Sequence, residues 1–185
     1  NSIDRGLSWI ARAQNEKGGW GAGSHARQDI KDPHAVAADP ATTAMVSMAL
    51  LRSGTTLTKG EYAAQLQKSL DYLMTATENS QVSSYNITDQ TGTQIQTKLG
   101  ANIDVILTAQ FFANVLDYVG HDALLKARVQ KNLNTCVAKI QRAQDRNGNI
   151  AGAGWAGVLQ SSFATNALES AQTKGAEVDG EALDR

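Results

Sequence analysis

The sequence predicts an all-α domain built from three helical hairpin repeats. Three observations carry that reading. Apolar residues recur at helical spacing in every long segment, and no strand-like alternation competes anywhere. An amphipathic helix followed by a more evenly apolar one occurs three times in succession. The connections alternate in length, with long loops at 15–40, 78–101 and 145–157 and short returns near 54–59, 120–122 and 174–178.

The first helix carries Ile3, Leu7 and Ile10 on one stripe and ends near Gln14. After a loop containing GGWGAG and two prolines, ADPATTAMVSMALLRSG reads as a helix with both ends marked. Asp39 suits the N-cap and Pro40 the first helical position, while Gly54 suits the stop. Small and apolar residues on most sides predict that this helix is buried all round. Glu61 to Thr77 forms the second amphipathic helix, with Tyr62, Leu66, Leu70 and Leu73 on its stripe. A polar loop covers Glu78 to Ala101, then Asn102 to Val119 is apolar on several faces and Gly120 closes it. The third pass begins near Asp122 and stripes Leu125, Val129, Leu133, Val137 and Ile140. A glycine-rich loop from Asp145 to Gly157 leads to a last helix, roughly Val158 to Thr173, before Gly175. The hairpins thus span about 2–54, 60–120 and 122–175 of a single domain over residues 1–185. VDGEALDR at the end reads as the opening of a further helix, so the repeat array is expected to be incomplete and to be finished by a partner segment or another chain.

Composition narrows the function classes. Seventeen basic residues against eighteen acidic, with no Lys/Arg-rich run, argue against a generalised nucleic-acid surface. No stretch approaches twenty apolar residues, so no membrane-spanning helix is expected. The single cysteine, Cys136, shares a face with Leu133, Val137 and Ile140 and reads as a buried hydrophobe. The chain opens at Asn1 without methionine, so either something was removed or it is a piece of a longer protein; no signal peptide decides the compartment, and a location outside the cytoplasm is slightly favoured.

Two stretches echo one another. Ile3, Leu7, Ile10, Gln14 and Gly18 match Leu133, Val137, Ile140, Gln144 and Gly148 at one constant offset. Gln14, Gly18, Gly19 and Trp20 in RGLSWIARAQNEKGGWG resemble the glutamine-to-tryptophan repeat of the squalene–hopene cyclase and prenyltransferase repeat family. The third repeat keeps Gln144 and Gly148 but has Ile150 in place of the tryptophan, and the second repeat lacks the motif. The resemblance implies an α/α toroid, of which three hairpins are about half. It also implies structural tasks for the motif: a glutamine that satisfies backbone groups and a tryptophan that packs over its neighbour.

Cyclases of that family protonate a polyene with an Asp-x-Asp-Asp-Thr-Ala motif. DPATTA keeps Asp39 and Thr43-Ala44, but Ala41 and Thr42 stand at the two later acidic positions. Aromatic residues, at 5%, are sparse for a cation-stabilising pocket. The zinc set of the protein prenyltransferases and the thioester motif of complement-type toroids have no counterpart. His25, Asp29, Asp32 and His34 share one loop and are weighed as metal ligands, with a solvated polar loop favoured. Trp9 and Trp20 read as packing residues, although toroid pectate lyases carry a similar Gly-Gly-Trp stretch. Asn86-Ile87-Thr88 is a formal glycosylation sequon.

All long loops fall at one end of such an array, where the N-termini of the buried helices also lie. His25, His34, Asp39, Asp104 and Trp155 are therefore the candidate ligand or partner face, with no catalytic residue, metal or cofactor assigned. The expectation is a non-catalytic interaction or scaffold module, an accessory subunit that meets a protein partner or second toroid half and that is compatible with a membrane-associated complex. The alternative is part of a terpene cyclase or toroid lyase whose catalytic residues lie elsewhere.

Overall fold

The computed structural model describes residues 1–144 and 154–176, and side chains throughout these except at 154–159. The described residues hold seven α-helices and no strand. They are α1 Ser2–Ala13, α2 Pro40–Arg52, α3 Ala63–Asn79, α4 Gln94–Leu99, α5 Ile103–Val115, α6 Ala123–Ala143 and α7 Gly154–Thr173. Short 3-10 turns occupy Pro33–Ala35 and Leu116–Tyr118.

The helices pack in two rows. In one, α5 lies between α2 and α7 and packs against both. In the other, α3 and α6 touch each other and back onto α2 and α5. Eleven of the thirteen α5 residues are buried, including Ile103, Ile106, Phe111 and Phe112. This helix contains five β-branched residues, each unfavourable by up to about 0.5 kcal/mol. Burial of each large apolar side chain contributes roughly 1.5–3 kcal/mol, so packing outweighs propensity here. The predicted stripes of α3 and α6 form the seam between rows: Leu66, Leu70, Leu73, Val129, Leu133, Val137 and Ile140 are all 2% exposed or less.

Several element ends follow from local chemistry. Asp39 caps α2, its carboxylate accepting from the Thr42 N–H at 2.7 Å, and Pro40 opens the helix. Gly54 then turns the chain with φ +99°, while the Thr55 N–H reaches back to the Leu50 carbonyl. Gly175 closes α7 in the same way, with Ala176 donating to Ala171.

The structure also departs from the sequence reading. α2 is not buried all round: Met45 is 43% exposed and Ala49 and Arg52 also face outward. Ile3 and Trp9 on α1 are exposed at 68% and 53%, because α1 makes few helix–helix contacts. The stretch 78–101 is not all loop, since Thr93 and Gln96 form a capping box that starts α4. α5 ends at Val115 and tightens into 3-10 geometry before Gly120 is reached. α7 starts four residues earlier than expected, at Gly154.

Candidate functional site

The two long loops after α1 and α3 come together over the N-termini of α2 and α5. Ser24 and Thr93 form an isolated antiparallel bridge, with the His25 N–H donating to the Gly92 carbonyl at 3.0 Å. The Gln90 side chain donates to the Ala38 carbonyl, fixing the second loop to the segment before α2.

The first loop is shaped by the residues of the glutamine-to-tryptophan motif. Gln14 Nε2 donates to the carbonyls of Gly18, at 2.8 Å, and of Gln65, at 2.9 Å, tying the end of α1 to the first turn of α3. Trp20 is 4% exposed, and its indole N–H donates to the Ile10 carbonyl. The Trp20 backbone N–H donates to Thr43 Oγ1, and its carbonyl accepts from the Asp39 N–H. Gly18 holds φ +96° with Lys68 backbone alongside, and a side chain on Gly19 would meet Ala38 and Tyr72. These are packing and hydrogen-bonding roles.

Beneath the loops sit two aspartates. Asp39 is 1% exposed, and besides the Thr42 backbone its carboxylate accepts from Thr42 Oγ1 at 2.9 Å. Asp104 is fully buried in the first turn of α5, yet it also caps α2 from outside. Its Oδ1 accepts from the Ala41 N–H at 3.0 Å, and its Oδ2 accepts from Gln96 Nε2 at 2.8 Å and Asn86 Nδ2 at 3.2 Å. Asn86 in turn accepts from the Val105 N–H at 3.0 Å and so caps α5. Gln160 of α7 accepts from the Asn102 N–H at 2.7 Å. The N-termini of α2 and α5 thus draw caps from side chains of other elements, a signal no local motif encodes.

Burial, foremost, pushes the Asp39 carboxyl above its ordinary range, with Asp104 adding repulsion and the Thr42 donors opposing. Burial and the two aspartates together push the Tyr72 hydroxyl up to about 12. A carboxyl with a raised pKa can serve as a proton donor. Here, though, the carboxylate oxygens already accept from the protein's own donors, and both side chains are closed off from solvent. A cleft of about 320 Å³ between the loops has Asp39, Gln90, Thr93, Ser24 and Arg27 among its walls.

The candidate face therefore divides. His25 and His34 are exposed, whereas Asp39 and Asp104 are turned inward. His34 Nε2 lies 2.9 Å from the Arg12 carbonyl at the end of α1, and His25 contacts Gln94. Asp29 pairs with Arg27, and Asp32 caps the turn before His34. Among the described residues no group of three or more His, Cys, Asp or Glu side chains is placed to hold a metal ion. Gly148 lies outside the described residues, as do Ile150 and the VDGEALDR stretch, and the side chain of Trp155 lies outside those described. Gln144 ends α6 in the same extended conformation as Gln14 ends α1.

Cys136 is fully buried, and burial pushes its thiol up to about 12, far from a thiolate at neutral pH. The sequon nitrogen is also engaged: Asn86 Nδ2 donates to the Ala101 carbonyl as well as to Asp104. Lys139 is fully buried, its ammonium held by the carbonyls of Gln81 and Ser84 and by Ser84 Oγ, which ties α6 to the loop after α3. No helix among the described residues is long and apolar enough to cross a membrane.

An apolar groove lies between the helices, away from the aspartates. A groove of about 740 Å³ runs between α2 and α7, with α5 as its floor. Met45, Met48, Leu99, Leu107 and Phe163 line it, with Arg52 and Glu169 on opposite walls. Comparison with models of known protein families, with curated proteins and with solved structures finds no match.

The aspartate environment makes a pH prediction. A raised carboxyl pKa means the folded state holds the proton more tightly than the unfolded state. The stability this contributes is fully present below the unfolded value of 3.8 and is lost as pH rises through the raised folded value. Asp39→Asn keeps an oxygen for the Thr42 N–H and removes the titration. Its stability relative to the native chain is expected to improve as pH rises from about 4 to about 7. Urea denaturation of both chains at several pH values checks this, and a pH-independent difference would contradict it.

Proposed function

We propose that this chain is a non-catalytic interaction module, an accessory or scaffold subunit resembling half of a terpene-cyclase-like toroid. The observation that carries the reading is the groove between α2 and α7. An otherwise well-buried helix row leaves Met45, Met48 and Phe163 available on its open side. A concave apolar strip of this kind suits an amphipathic helix or apolar segment from a protein partner, and methionines adapt to its shape. The glutamine-to-tryptophan motif supports the same reading, since its residues are occupied in binding α1, α3 and the first loop together.

The rival is a cyclase or lyase fragment, and the raised carboxyl of Asp39 beside a small cleft is what favours it. Engagement of the aspartates as helix caps, and the neutral residues at positions 41 and 42, weigh toward the module.

Native purification under mild conditions, with identification of what accompanies the chain, tests the proposal. Met45→Asp combined with Phe163→Asp is expected to lose the partner at least tenfold in affinity while keeping its helical circular dichroism. Unchanged co-purification of the variant, or turnover of a polyprenyl substrate by the native chain, would refute it.

A further inference from the structure

We propose that α1 carries a docking ridge, formed by Ile3, Gly6 and Trp9, for a helical hairpin of a partner protein. The three residues follow one another at three-residue intervals, so they lie on one ridge of the helix. The same ridge recurs in the chain. Sixty-three residues on, beside the α3 stripe, stand Leu66, Ser69 and Tyr72. At 130 residues on, in register with the glutamine echo, α6 carries Leu133, Cys136 and Lys139. Each time the order is an apolar residue, a small one and a long one.

In α3 and α6 this ridge seats one hairpin on the hairpin before it. α3 packs on α2, and α6 packs on α5. Leu66, Ser69, Leu133 and Cys136 are all fully buried. Ser69 Oγ accepts from Ser47 Oγ of α2 at 2.8 Å, and Cys136 Sγ lies 3.9 Å from Thr77 Oγ1 of α3. The long residue reaches the loop of the preceding hairpin. Tyr72 lies against Gly19 of the first loop, and Lys139 Nζ donates to the carbonyls of Gln81 and Ser84 in the second. Arg142 also donates to the Ser84 carbonyl, at 3.3 Å, and its counterpart 130 residues earlier is Arg12.

On α1 the ridge stands open. Ile3 is 68% exposed and Trp9 53%, and an added Cβ on Gly6 would find no atom within 4 Å. Leu7 and Ile10 pack against the core, so α1 is seated on its own hairpin while the ridge stays free. A repeat hairpin buries such a face only against a neighbour. The two filled cases define the occupant. Its helix places a side chain in the notch at Gly6, and its loop offers backbone carbonyls to Trp9 Nε1 and Arg12. A second copy stacked end to end does not match. The exposed residues of α7 between 160 and 173 are Ser162, Asn166, Glu169, Gln172 and Thr173, a polar edge of the kind that closes a repeat array. The ridge lies on a different helix from the groove, and the inference does not rest on the groove.

Photochemical cross-linking of the full chain, in cells that make it, tests the ridge. Trp9→benzoylphenylalanine places the reactive group on it, and Leu124→benzoylphenylalanine places one at an exposed site on α6 as a control. Irradiation is expected to join residue 9, but not residue 124, to one other polypeptide, at a peptide whose sequence reads as a helical hairpin. Adding Gly6→Leu fills the notch. Overpacking of this kind is expected to lower the yield about tenfold, while thermal denaturation shows a chain no less stable than the native one. The ridge is overturned by any of four results: no product at residue 9, equal product at residue 124, a product joined only to this chain's own peptides or to lipid, or a yield indifferent to Gly6→Leu. A partner that then still co-purifies, and is lost in the groove variant, leaves the interaction-module reading standing without the ridge.

Discussion

Asp104→Ala is expected to lower stability by about 3–5 kcal/mol, the largest effect of any single side-chain truncation near the candidate face. The mutation removes three hydrogen bonds to a buried carboxylate, from the Ala41 N–H, Gln96 Nε2 and Asn86 Nδ2. The Ala41 N–H, in a fully buried residue, is left without a partner, whereas Gln96 Nε2 keeps the Gln90 carbonyl and Asn86 Nδ2 keeps the Ala101 carbonyl. Hydrogen bonds to a charged group contribute about 1.5–3 kcal/mol each and an unsatisfied buried donor costs about 1–3 kcal/mol, so the losses outweigh relief from burying the carboxylate. For a chain of this length the shift in melting temperature is about 10 °C or more. Asp104→Asn is the informative companion. Its oxygen can still accept from Ala41, while its amino group faces two other amino groups, so an intermediate loss is expected. Thermal denaturation measures both, and hydrogen exchange at the Ala41 amide locates the damage. An Asp104→Ala chain within about 1 kcal/mol of the native one would show that the caps on α2 are not coupled through α5.

That coupling also explains what could and could not be read from the sequence. The helices with strong stripes were legible, because Leu66, Leu70 and Leu73 or Val129, Leu133 and Val137 recur at a period that only a helix places on one face. The Asp39-Pro40 start and Gly54 stop of α2 were legible for the same local reason. Gln14 and Gln144, which the repeat echo aligns, both leave their helices with φ near −64° to −74° and ψ near 134° to 137°. Ser80 ends α3 with nearly the same geometry, φ −70° and ψ 146°, although no glutamine marks it. There Lys139 of α6 satisfies the loop carbonyls instead, so the task persists while the residue changes. Asp104 lies in the first turn of α5, where a negative charge is locally favourable, but its hydrogen-bond partners come from 8, 18 and 63 residues away. Asn86 looked like a modification site because a sequon is a three-residue pattern, whereas its cap on α5 spans nineteen residues. The groove was only half legible. α2 looked apolar on most sides, and nothing local says that Met45 faces out while Ala44 faces in.

Gly21→Ala is expected to be nearly as damaging, by about 3 kcal/mol, at a position whose importance no periodicity announces. An added Cβ would lie 1.9 Å from the Ala37 carbonyl oxygen, 2.8 Å from its carbon and 3.2 Å from Ala38 Cα. All three neighbours are backbone, so no rotamer change relieves the overlap and one segment must move away from the other. Segment 37–38 leads directly into Asp39, whose N–H is bonded to the Trp20 carbonyl. Pushing it outward loosens the start of α2 and the seat of Trp20 together, which links the Gly-Gly-Trp-Gly stretch to packing by geometry alone. Gly6→Ala supplies the opposite sign. It lies inside α1 with nothing within 4 Å of an added Cβ, so the methyl meets no obstacle. The change is expected to stabilise by about 0.5–1 kcal/mol through better helix propensity and a less flexible unfolded chain. Melting temperatures should therefore move in opposite directions for two identical chemical changes fifteen residues apart. If both glycines accept alanine equally well, the close approach of residues 21 and 37 is not a feature of the native protein, and the account of how the first loop seats α2 falls with it.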